Sequence, residues 1–194
     1  MAENETSRAR RVFRGRERAR TRHNRQGITM LEVSLALTIL VIALVATTAS
    51  NMRMHSLQRS NRDRVVAQNA VQAIAETVQA IARKGVTAPN GFGNYVVTAL
   101  AAGGELGPAF DVPELNPVAG ETRVGSVVVI TDETSSDGTL GAALGLPRDL
   151  NGDGDALDTN VTASAHLLPV VITLRWRNQA GDQRIVHPFY VFGY

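Results

Sequence analysis

The sequence predicts an α+β chain in which one long N-terminal α-helix, apolar in its first half and amphipathic in its second, packs on a small antiparallel β-sheet. Three observations predict it. Residues 28–49 form an apolar run, residues 53–84 contain neither proline nor glycine, and residues 168–192 read as two β-rich arms around a turn. The chain has 194 residues, 44% of them hydrophobic and only 5% aromatic. That composition suits one ordinary domain with appendages and a light aliphatic core. It contains no cysteine, which removes disulfide frameworks and thiolate metal sites from consideration.

Residues 1–27 carry nine arginines (Arg8, Arg10, Arg11, Arg14, Arg16, Arg18, Arg20, Arg22 and Arg25) against Glu3, Glu5 and Glu17, a net of +6. The chain as a whole carries 20 basic and 18 acidic groups, so residues 28–194 are net −4. The high isoelectric point therefore belongs to the first segment, and the remainder has no general attraction to nucleic acid. This Arg-rich segment lacks apolar periodicity and cannot offset its own conformational entropy. A cytoplasmic leader, a nucleic-acid arm and an inert tail compete for it. Its place directly before an apolar run favours the leader.

That run, Ile28–Ala49, has 22 residues, about 33 Å of helix against a hydrocarbon core of about 30 Å. The arginines on its N-terminal flank put residues 1–27 in the cytoplasm and the C-terminal bulk outside. Glu32 is its only charged residue. A carboxylate in the bilayer costs on the order of 2.5–3.5 kcal/mol near the centre and less at the edge, so it marks a function or snorkels to the headgroups. Cleavage after Gly27 would create an α-amino group on Ile28, one helical turn before Glu32 and on the same face.

The order Arg25-Gln26-Gly27-Ile28-Thr29-Met30-Leu31-Glu32-Val33 resembles the class III signal of type IV prepilins and type II secretion pseudopilins. In that signal a basic leader ends in Gly, a hydrophobic residue becomes the new N-terminus, and Glu occupies the fifth mature position. Ile28 stands where Phe is commonest, and the 27-residue leader is long for the family. The resemblance covers residues 22–55 strongly and the rest by architecture alone. It implies a pilin-like fold, cleavage and N-methylation at Gly27/Ile28 by a prepilin peptidase, and assembly with other pilin or pseudopilin subunits through the N-terminal helix and Glu32. It also implies a single-pass protein in the lipid of the inner membrane, then in a pilus or pseudopilus. The runner-up is an uncleaved, signal-anchored, extracytoplasmic binding protein dependent on calcium.

Four segments follow: a basic leader at 1–27, a membrane and assembly helix at 28–52, an amphipathic helix at 53–84, and a loop-rich domain with an antiparallel sheet at 85–194. In the second helical segment Ala67, Val71, Ile74, Val78 and Ile81 form one apolar stripe, and Gly85 follows Arg83 and Lys84 as a stop. Glycine and proline make 85–122 a loop region, with a short strand or turn at 94–100. Arg123–Asp132 reads as a strand. In the arm 168–177, Val170, Ile172, Leu174 and Trp176 share one face, and Val171, Thr173, Arg175 and Arg177 the other; the first set is expected to pack on the helix stripe.

Residues 149–160 form an acidic loop. Asp149, Asn151 and Asp153 sit at alternate positions, Gly154 at the sixth and Asp155 at the seventh, as at the start of an EF-hand loop. The twelfth position is Asn160, and Asp158 could substitute only if the loop closes early. A structural Ca²⁺ held by Asp149, Asn151, Asp153, Asp155 and Asp158 competes with a solvated loop of Asx-turns. The chain contains no Gly-x-Ser-x-Gly elbow, phosphate loop or Rossmann fingerprint, and His23, His55, His166 and His187 have no ligand spacing. A structural subunit, not an enzyme, is the expectation.

Overall fold

The computed structural model describes residues 29–135, 141 and 143–194. Helix α1 runs from Met30 to Val86, 57 residues, with Glu32 in its first turn and Arg83 and Lys84 in its last. The contacts divide the chain between Thr47 and Thr48. In the first unit every described residue is solvent-exposed, including Leu35, Leu37, Leu40 and Ile42. In the second, α1 buries Ala67, Val71, Ala75, Val78, Ile81 and Ala82. This stripe, at spacings of three and four, matches the heptad pattern in the sequence.

Two short strands, β1 (Ala109–Phe110) and β2 (Asn116–Pro117), precede β3 (Gly125–Val129), β4 (Leu167–Asn178) and β5 (Gly181–Phe192). All pairings are antiparallel. β4 is the central strand: β5 runs along its whole length on one side, β3 and then β2 follow one another on the other, and β1 adds to β3. The hairpin is tighter than the sequence suggests. Asn178 and Gly181 pair directly, leaving a two-residue loop, and Gly181 takes φ 108°, a conformation that other residues resist.

Val170, Ile172, Leu174 and Trp176 are all essentially buried and join the helix stripe in one core. A long N-terminal helix packed on an antiparallel sheet is thus the architecture of the chain. One expectation is corrected. Residues 94–100 are neither strand nor turn: Phe92–Leu100 form helix α2, which buries Phe92, Val96, Ala99 and Leu100. That spacing of four, seven and eight is helical, and burial on the core overrides the β-branched Val96-Val97-Thr98 run. Val171, on the face of β4 opposite to Val170, Ile172, Leu174 and Trp176, is also only 3% exposed. The outer face is covered at that end, where the Tyr190 hydroxyl donates to the Leu144 carbonyl and Arg148 stacks 5.3 Å over the Tyr190 ring.

Candidate functional site

The apolar segment begins with a cap. The Glu32 N–H donates to Thr29 Oγ1 at 3.3 Å and the Val33 N–H to the Thr29 carbonyl at 3.1 Å. Thr29 and Glu32 stand three apart, the spacing of a capping box, and the carboxylate lies at the positive end of the helix dipole. Among the described residues, Glu32 is therefore placed by the helix start and not by a tertiary contact. Gly27 and Ile28 lie outside the described residues.

The hydroxyls farther along make no demand on solvent. Ser34 Oγ donates to the Leu31 carbonyl, Thr38 Oγ1 to Ser34 and Thr47 Oγ1 to Ala43, at 2.8–2.9 Å. With those donors satisfied inside the helix, the exterior of the segment is effectively aliphatic. Among the described residues α1 is the one helix long and apolar enough to cross a membrane. Its most apolar window has mean hydropathy 2.3 and is not buried at all.

The acidic loop is built on its own hydrogen bonds. Asp149 Oδ1 accepts the Gly152 N–H at 2.5 Å and Oδ2 the Gly154 N–H at 2.9 Å. Those N–H groups hold its carboxyl below the usual carboxylate range. Asn151 Oδ1, Asp153 Oδ1 and Asp155 Oδ1 each accept the N–H two residues on, forming successive Asx-turns. Gly152 and Gly154, at φ 81° and 102°, allow the chain to coil this tightly.

Of the five proposed ligands, the structure gathers three. Asn151 Nδ2 donates to Asp153 Oδ2 at 3.1 Å and to Asp158 Oδ2 at 2.8 Å, so two carboxylates converge on one amide. Asp149 points at backbone and Asp155 at Leu157. Asn160 accepts from the Thr162 N–H and hydroxyl and stands apart. Among the described residues, no group of three or more His, Cys, Asp or Glu side chains could hold a metal ion.

One residue of this region escapes sequence reasoning. Glu133 is fully buried and is the only buried charged side chain among the described residues. Its Oε1 accepts the Leu150 N–H at 2.6 Å and the Asn151 N–H at 3.3 Å, and its Oε2 the Asp158 N–H at 3.4 Å. Both ends of the acidic loop are thus tied to one carboxylate 16 residues upstream of Asp149. Nothing in the polar stretch Thr131-Asp132-Glu133-Thr134 distinguishes it beforehand. Comparison of the chain with family models, with curated proteins and with solved structures returns no match.

Proposed function

We propose that this chain is a structural subunit, a minor pilin or pseudopilin, of a type IV pilus or type II secretion pseudopilus. A prepilin peptidase removes residues 1–27 and methylates the new N-terminus at Ile28. The subunit then waits in the inner membrane with its C-terminal domain outside, and joins the filament through its N-terminal helix. The observation that carries this reading is the division of labour along α1. Residues 30–52 present an exposed aliphatic surface whose only acid is Glu32, whereas residues 67–82 are spent on the chain's own core. In the filament the Glu32 carboxylate is neutralised by an Ile28 amine, its own or a neighbour's. The test is Glu32→Ala, which should leave cleavage intact by mass spectrometry and abolish filament incorporation. Normal incorporation of the variant defeats the proposal.

The convergence of Asp153 and Asp158 on Asn151 supports a second reading, a signal-anchored binding protein that uses calcium. There an amide N–H does the work of a cation between two carboxylates. Turned about, and giving up the bond that its Oδ1 accepts from the Asp153 N–H, Asn151 would offer its oxygen with those two carboxylates to a structural Ca²⁺. Intact mass separates the two readings, since an anchor retains residues 1–27. Added Ca²⁺ that leaves the melting temperature of the chain unchanged ends the metal claim.

A further inference from the structure

Strand β5 carries a proline in its interior, where a missing N–H ordinarily costs a rung of the ladder. The register shows that Pro188 costs none. One step beyond the Leu167–Phe192 pair, the Gly193 N–H donates to the His166 carbonyl at 2.8 Å, so even-numbered residues of β4 bond odd-numbered residues of β5. On the other side of β4, the Arg175 N–H donates to the Val124 carbonyl and the Pro169 carbonyl accepts from Ile130, so its odd-numbered residues face β3. Pro188 stands opposite Val171. Its nitrogen therefore points away from β4, onto the free side of β5.

β5 borders the sheet along all 12 of its residues. Asp182, Arg184, Val186, Pro188, Tyr190 and Phe192 turn their backbone groups outward, and apart from Pro188 each carries an N–H without an acceptor among the described residues. Such an edge is a template for another strand. Charge protects its first part: Arg177 holds Asp182 at 2.6 Å and 3.2 Å, and Arg184 stands across the ladder from Arg175. Beyond Arg184 the strand reads Ile185-Val186-His187-Pro188-Phe189-Tyr190-Val191-Phe192, with no formal charge. Without its proline this is the uncharged, strand-forming kind of window that pairs from chain to chain. The opposite border repeats the device. β2 has two residues, and the one turned outward is again a proline, Pro117, set opposite Trp176.

We propose that Pro188 closes the β5 edge to a second copy of this chain, so that copies of the protein meet without extending the sheet. A strand laid on β5 finds no donor at Pro188 and meets the ring there, which leaves one of its own carbonyls unsatisfied in the middle of the apolar tract. Placement matters as much as residue type. A proline at Ile185, His187 or Phe189 would take a donor from the ladder with β4, whereas the outward set gives one up without loss. The edge is closed whether or not copies assemble through α1.

Hydrogen exchange of the full chain in maltoside micelles, read amide by amide at low and high protein concentration, tests this. In the parent, the outward amides of Arg184, Val186 and Tyr190 should exchange fast at every concentration, and the ladder amides of Ile185, His187 and Phe189 slowly. Pro188→Thr restores the missing donor with a strand-forming residue. Its Val186 and Tyr190 amides should slow more than about tenfold as concentration rises, with the growth of larger species that bind thioflavin. Adding Val186→Pro to Pro188→Thr moves the proline to the neighbouring outward position and should return Tyr190 to fast exchange. Concentration-dependent slowing of Val186 and Tyr190 in the parent overturns the proposal. So does a Pro188→Thr chain whose outward amides stay fast, or a double variant that still pairs. Loss of ladder protection in Pro188→Thr also overturns it, because Pro188 would then serve β5 itself and not its edge. Contacts through the apolar part of α1 leave these amides untouched, so the result is separate from that of Glu32→Ala.

Discussion

The buried Glu133 carboxylate accepts the Leu150 N–H at 2.6 Å, which fixes the entrance of the acidic loop to a residue with no solvent exposure. The same carboxylate reaches the Asp158 N–H at the loop's far end. Glu133→Ala leaves these donors without an acceptor, at about 1–3 kcal/mol for each one that stays buried. We expect a clear loss of stability in urea unfolding, together with faster amide exchange at Leu150 and Asn151. Glu133→Gln, which retains one oxygen, should lose less.

Asp149 gives the loop a pH dependence. Its carboxyl is held below the usual range by the N–H groups of Gly152 and Gly154. A carboxyl depressed in the folded state contributes stability above its unfolded value of about 3.9, and loses it as pH falls through the lower folded value. The parent should therefore be more stable than Asp149→Asn near neutrality. The gap should close on acidification below about pH 4, as read from urea midpoints across that range.

Ile81 on α1 and Leu174 on β4, 1% and 0% exposed, belong to the same core. Truncating either to alanine should cost about 2–5 kcal/mol, because a cavity adds to the lost transfer free energy. Substituting Leu57 of α1, which is 64% exposed, should leave the stability of the domain within about 0.5 kcal/mol. Equal losses at the buried and exposed sites would contradict the packing of α1 on the sheet.

Gly93 permits α2 to approach the segment that follows the acidic loop. A Cβ at this position would overlap the Thr162 carbonyl oxygen, which is backbone and cannot rotate away. Gly93→Ala should destabilise by about 1–3 kcal/mol despite its better helix propensity, measurable by thermal unfolding.

The sequence by itself determined the helix, its two halves and the β4–β5 hairpin. Each rests on a one-dimensional period or a length: 22 apolar residues match a bilayer, a stripe at three and four matches a helix face, and alternation matches a strand. Glu32 is legible for the same reason, as a single charge in an apolar run. The acidic loop was legible as a sequence of oxygens at alternate positions. Which of those oxygens meet was not, because convergence depends on how Gly152 and Gly154 turn the chain.

Tertiary structure alone decided the rest. Residues 92–100 became helical because burying Phe92, Val96 and Ala99 together outweighs the weak strand preference of two valines and a threonine. Val171 became buried because the segment around Leu144 covers one end of a face that alternation leaves open. Glu133 has no sequence signal at all. Its role depends on groups brought together from distant parts of the chain, and no local pattern records which buried donor a carboxylate will meet.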